Sequence, residues 1–176
     1  LSEGDYADGA SVYRRIAGNQ VRRIGLKVQV KEPVQIAEPG VAIENIAFAL
    51  GGTVERPTLS YVSFDAKGIG RLTRAATRIN LMTGKETVTV SSAALPPLPA
   101  GARAAKVLLS TQADQVYVAI ADGTVHRYDT RDFDRPQLAE TAKLTPEGVE
   151  LGVFGYLLGN QTIFVGGSDG SLNMYF

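Results

Sequence analysis

The chain has 176 residues, with 18 Lys and Arg balanced by 18 Asp and Glu, a single histidine and no cysteine or tryptophan. Zero formal charge gives no support to general polyanion binding, so nucleic acid is not an expected partner. The lack of cysteine removes disulfides, thiolate nucleophiles and cysteine-type zinc sites together. The charge is only mildly uneven, with 12 basic and 9 acidic residues over 1–90 against 6 and 9 over 91–176.

In chain order, residues 1–20 carry Gly4, Gly9 and Gly18 among several charges, with Asp8-Gly9-Ala-Ser-Val-Tyr13 a faint echo of a hairpin, and read as an incomplete strand pair or an entry linker. From Val21 the pattern sharpens: Ile24, Leu26, Val28 and Val30 alternate with polar residues or glycine, the period of a half-buried strand. Glu32-Pro33 interrupts it, and Val34 to Ala37 continue along an edge. Glu38-Pro39-Gly40 signals a turn. Val41 to Leu50 has some helical character, but Gly51-Gly52 closes it and Leu59 to Phe64 follows at hairpin distance, so it is read as a strand. Asp65-Ala-Lys67-Gly68 is the next turn. Ile69 to Ile79 is rich in Arg and Thr, and Glu86 to Val90 alternates Thr and Val. Ser91 to Gly101 holds Pro96, Pro97 and Pro99, which cannot donate to a ladder and favour an extended connection.

The second half contains one pattern twice. Gln115-Val-Tyr-Val-Ala-Ile-Ala-Asp122-Gly123-Thr-Val-His-Arg-Tyr128 is echoed by Gln161-Thr-Ile-Phe-Val-Gly-Gly-Ser-Asp169-Gly170-Ser-Leu-Asn-Met-Tyr175. Each copy runs through an apolar segment to Asp-Gly, adds a hydroxyl residue and resumes alternation, which is the signature of a hairpin with positive φ supplied at the turn. Asp122 and Asp169 lie 47 positions apart, within the roughly 40–50 residues of a propeller blade. A polar connection over Asp129 to Arg135, a strand over Gln137 to Leu144, and turns at Thr145-Pro146-Glu147-Gly148 and Gly159-Asn160 complete the units. The expected fold is all-β, built of antiparallel meander blades as a partial or open β-propeller. An N-terminal β region over 1–95 carries degenerate blades, and 102–176 form two blades, within one structural domain. Val107, Leu109, Val116, Val118, Val125, Leu157, Ile163, Val165 and Leu172 are the expected blade-to-blade core. The open blade edge is expected either to contact a neighbouring copy through its terminal strands, a route to self-association, or to be capped by the N-terminal segment, where residues 21–31 make a competent strand.

Motifs for chemistry are sparse. His126 has no second imidazole to form a zinc pair or a shuttle, and the alternation places it outward as an ordinary surface residue. No serine sits in a G-x-S-x-G elbow. Gly84-Lys85 fails as a phosphate loop because Ile79 occupies the upstream glycine position and Glu86 follows the lysine. Gly68-Ile69-Gly70 leads into Arg71-Leu72-Thr73 and fails as a dinucleotide fingerprint. Asp122, Gly123, Asp169 and Gly170 are read as turn formers rather than calcium ligands. Arg71, Arg74 and Arg78 form the densest basic group, able in principle to hold phosphate or a carboxylate-rich partner. At strand spacing they do not share one face, and a solvated strand protecting an edge is the simpler reading. Neither a catalytic set, a metal site nor a cofactor is expected.

Two resemblances bear on function. Tyr128-Asp129 after a hairpin resembles the Trp-Asp end of a WD40 blade, without that family's Gly-His signature or any Trp, and the second copy ends Tyr175-Phe176 instead. The stretch from Tyr156 to Phe176 resembles the "LLG…VGDS-G…WF" run in the periplasmic insertion of PstC-type phosphate ABC-transporter permeases. It departs from that run at Gly167, before Ser168-Asp169, and at Tyr175 in place of Trp. The match covers about the last twenty residues well and the first half hardly at all.

The second resemblance implies a non-enzymatic extracytoplasmic domain, docking or regulatory, on a permease of the bacterial inner membrane and facing the periplasm. Its partners would be other transporter subunits or the solute-binding protein. On this reading Leu1 and Phe176 are internal to a longer polypeptide, and any membrane span lies outside these residues, since no apolar run approaches the roughly 20 residues of a spanning helix. The strand over residues 21–31 would then complete the last blade in the permease parent. The alternative is a soluble WD40-like propeller scaffold for protein–protein interaction.

Overall fold

The computed structural model describes residues 42–52, 56–157 and 162–176 in full, and the backbone of four N-terminal strands. Those strands are β1 (Asp5–Ala7), β2 (Ser11–Arg15), β3 (Gln20–Gly25) and β4 (Val34–Gln35). The second sheet comprises β5 (Ile43–Gly52), β6 (Pro57–Asp65), β7 (Gly70–Ile79) and β8 (Glu86–Ala94). The third comprises β9 (Lys106–Leu109), β10 (Gln115–Ala119), β11 (Thr124–Asp129) and β12 (Gln137–Lys143), and the fourth β13 (Leu151–Tyr156), β14 (Ile163–Gly167) and β15 (Leu172–Tyr175). Every sheet is an antiparallel meander in sequence order, and no helix occurs among the described residues.

The meander follows from turn chemistry. In the hairpins that start at Asp65, Ile120 and Gly167, the N–H of the fourth residue donates to the first carbonyl, and the first N–H donates to the fifth carbonyl. The fourth residue in each is a glycine at positive φ: Gly68 (77°), Gly123 (84°) and Gly170 (83°). This is a type I turn closed by a glycine bulge, a three-residue loop rather than the two-residue turn that Asp-Gly alone suggests, with only the glycine in the left-handed region. Asp122 and Asp169 cap their turns: Asp122 Oδ1 accepts the Thr124 N–H at 2.8 Å and Asp169 Oδ1 accepts the Ser171 N–H at 3.0 Å.

Alternation in the third sheet is apolar on both faces. Val107, Leu109, Val116, Val118 and Tyr128 point toward the second sheet, where Val62, Phe64 and Leu72 meet them. Val125 and Ala119, with Tyr117 and Leu108, point the other way, onto Phe154, Ile163 and Val165 of the fourth sheet. The proline-rich connection is packed rather than loose, because Leu95 and Leu98 are buried in the same core. Asn45 Nδ2 donates to the Ala104 carbonyl at 2.5 Å, stitching β5 to the segment before β9.

Three expectations need correction. Leu172 is 67% exposed and Leu157 is 40% exposed. Leu172 pairs with Gly166 on the side of β15 away from the third sheet, so its alternation faces no neighbouring sheet among the described residues. The N-terminal strand does not complete the last sheet, because β2 and β4 already occupy both edges of β3, and β15 ends its sheet as an edge strand. His126 is buried, on the same face as Val116, Val118 and Tyr128. Residues 26–33, part of the expected N-terminal strand, and the Gly159-Asn160 turn lie outside the described residues.

The turn glycines also differ in what surrounds them. A Cβ on Gly123 would lie 1.8 Å from Thr145 Oγ1, whereas one on Gly170 would meet nothing within 4 Å. Gly170→Ala is therefore expected to cost only the left-handed backbone penalty of about 1–2 kcal/mol. Gly123→Ala adds overpacking against Thr145, on the order of 1–3 kcal/mol more. Urea unfolding of the two variants measures the difference, and equal losses would contradict the packing at Thr145.

Candidate interaction surfaces

A groove of about 400 Å³ runs between the third and fourth sheets. Its floor is Val125, Ile163 and Leu144, and Tyr117 and Tyr175 stand as aromatic walls. Tyr175 Oη donates to the Leu144 carbonyl at 2.7 Å, which fixes the wall against the connection between sheets. Tyr117 packs edge-on against Tyr156, with ring centroids 6.2 Å apart, and burial raises its hydroxyl pKa above the usual phenol value. One rim carries the ion pair of Arg127 Nε and Glu140 Oε2 at 3.1 Å, an exposed contact that contributes little to stability. At the mouth Phe176 is fully exposed. An apolar floor with aromatic walls and a charged rim is the anatomy of a protein-contact patch.

The basic trio is divided by the strand. Arg71, Arg74 and Arg78 all lie on β7, a strand flanked by β6 and β8 and therefore not an edge. Alternation puts Arg71 on one face and Arg74 and Arg78 on the other. Arg71 and Arg78 are exposed and Arg74 is half-buried, with its guanidinium carbon 4.6 Å from the centroid of Phe133. Sequence reasoning missed Phe133 because it lies in a polar connection with no period to mark it.

His126 and the turn carboxylates serve the fold. His126 Nδ1 lies 2.9 Å from Thr141 Oγ1, and Nε2 is buried without a partner among the described residues. Burial lowers the imidazole pKa, an effect partly offset by the Asp122 charge. The Asp122 carboxyl is held below its ordinary pKa chiefly by the Thr124 backbone N–H, and that of Asp169 by the Ser171 hydroxyl and N–H. Both carboxylates are committed to their turns. Among the described residues, no three His, Asp or Glu side chains converge as metal ligands.

No protein-family model matches the chain, and no curated protein does either. Solved structures that share its fold include the following two. One is from the complex of KlAtg21 with the coiled-coil of AgAtg16, at 9% identity and a TM-score of 0.57 over 97% of this chain. The other is the β-propeller domain of Cps50 (Swd1) from Myceliophteria thermophila, at 9% identity and a TM-score of 0.51 over all of this chain. The fold is that of a partial or open β-propeller. The chain spans 51% of the first structure and 66% of the second. At such identity the likeness concerns fold alone.

The buried imidazole has a readable consequence. Its folded pKa lies below the ordinary value of about 6.5, so the unfolded chain binds the proton more readily. This contribution to stability is complete above that pH and is lost as the pH falls through the folded pKa. With one histidine in the chain, a proton NMR titration of the imidazole is unambiguous. A midpoint below 6.5 is expected, and a midpoint at or above it would contradict the burial.

Proposed function

We propose that the chain is a non-enzymatic interaction scaffold whose partner seats in the groove between the third and fourth sheets. The observation that carries this reading is the groove itself, an apolar floor between aromatic walls, open at Phe176 and rimmed by Arg127 and Glu140. An apolar or aromatic side chain of the partner would fill the floor, where burial of a large side chain contributes about 1.5–3 kcal/mol. The rim pair would govern orientation more than affinity. Fold likeness supports this reading, since one of the similar structures is by its description a complex with a coiled-coil segment.

The resemblance of residues 156–176 to phosphate-permease insertions favours a second reading, in which the scaffold is a periplasmic docking or regulatory module of an ABC transporter. The described part of that stretch falls within the fourth sheet, from the end of β13 through β15. The two readings share a docking role and differ in the parent polypeptide. Membrane spans flanking the domain in the parent gene are required by the permease reading, and a parent without them would exclude it.

A photo-crosslinking residue in place of half-buried Ala142, in the groove, is expected to yield a discrete protein adduct in cells. The same residue at Met82, on the exposed β7–β8 turn, is expected to yield none. A groove position that gives no adduct, or the same adducts as position 82, would contradict the site.

A further inference from the structure

A second cleft, of about 200 Å³, opens where the second sheet meets the loops of the third. Arg74 lines it with Thr58 and Ser60 from β6 and with Thr111, Gln112 and Ala113 from the β9–β10 turn. The turn is held firmly. Ser110 Oγ accepts the N–H groups of Asp114 and Gln115, each at 3.0 Å, and Thr130 Oγ1 donates to the Ala113 carbonyl at 2.9 Å. These bonds keep Ala113 at φ 55°, a left-handed conformation that a non-glycine residue holds only when its surroundings enforce it. Phe133 packs against the core between the second and third sheets and lies under the Arg74 guanidinium.

The charge of the cleft is one-sided. Among the described residues no carboxylate lines it. Arg103, Arg127 and Arg131 each pair with a carboxylate, while Arg74 makes no ion pair or hydrogen bond with any described residue. Ser60, which lines the cleft, is only 5% exposed. The cleft is thus a fixed cation beside hydroxyl and amide donors, in a space smaller than the roughly 300–1,000 Å³ of ordinary small-molecule sites.

We infer that the Arg74 cleft binds the carboxylate of an acidic side chain on a partner protein, an assignment that rests on the scaffold reading and adds a second, charge-selective contact to it. The planar guanidinium fork matches a carboxylate in two parallel hydrogen bonds. A single cation balances the single charge of a carboxylate, whereas a phosphate group carries about −1.5 to −2 at neutral pH and would be left under-compensated. Cation–π contact with Phe133 holds the guanidinium in place before binding, which lowers the ordering cost.

The test is NMR titration of the whole 176-residue chain with a blocked Ala-Glu-Ala peptide, following the Arg74 Nε–H signal and the Gln112 side-chain amide. Saturable shifts of both are expected, weakening at high salt and absent with blocked Ala-Gln-Ala. Arg74→Gln should abolish the Gln112 shift, and Arg74→Lys, which keeps the charge but loses the fork, should weaken it several-fold. Arg78→Gln, on the same face outside the cleft, should leave both shifts intact. An unchanged backbone amide spectrum away from the cleft verifies folding of each variant.

Absence of saturable shifts, or a Gln112 shift that persists in Arg74→Gln, would overturn the site. Saturation by inorganic phosphate at tenfold lower concentration than the peptide would overturn its carboxylate preference. If the titration fails while the adduct from position 142 persists, the Arg74 site falls and the scaffold reading stands. Loss of that adduct with saturable peptide binding retained removes the groove and leaves the carboxylate site.

Discussion

The third sheet has to be apolar on both faces, and the rest of the described structure follows from that. An isolated meander of short strands is marginal in water, since one sheet alone cannot bury both its surfaces. Val116, Val118 and Tyr128 are covered by the second sheet, and Val125 and Ala119 by the fourth. Removing either neighbour would expose one of these clusters, so the stability of the three sheets is shared.

Hydrogen bonds at the connections fix how one sheet stacks on the next. The segment leading to the fourth sheet crosses the Asp122-Gly123 turn: Leu144 N–H donates to the Gly123 carbonyl at 2.9 Å, and Leu151 N–H to the Ala121 carbonyl at 2.8 Å. Thr145 Oγ1 lies between two acceptors, 3.1 Å from the Asp122 carbonyl and 2.8 Å from that of Val149. The equivalent position in the second sheet, Gly68, is approached in the same way by the connection to the third, with the Ala102 carbonyl 3.1 Å from where its Cβ would stand. Glycine at these turns therefore answers two needs, the bulge conformation and the close passage of the next connection. At Gly170 only the first applies. The outer strands β8 and β12 are largely exposed.

Much of this was legible in the sequence. Period-2 alternation and the turn residues locate β5 through β12, and the 47-residue spacing of Asp122 and Asp169 marks two like units. What alternation cannot tell is which face is covered. His126 reads as outward only if a strand has one buried face, and the third sheet has two, so its imidazole lies inside. Leu172 fails for the opposite reason: it alternates like its neighbours, but the fourth sheet has a described neighbour on one side only. The arginine group shows the limit for sites. Parity separates Arg71 from Arg74 and Arg78, but that Arg74 meets Phe133 depends on a loop contact 59 residues away in sequence. The permease resemblance lies in the fourth sheet and so concerns a structural unit rather than a set of contacts.

The groove and the Arg74 cleft are both placed by the stacking of the sheets. Native-state hydrogen exchange tests that stacking most directly, since amides open according to how well their surroundings are packed. Two-sided burial requires the slowest amides to be those of Val116, Val118 and Val125 in β10 and β11, with β8, β12 and β15 exchanging faster. Protection in β8 or β15 that equals or exceeds that of β10 and β11 would contradict it.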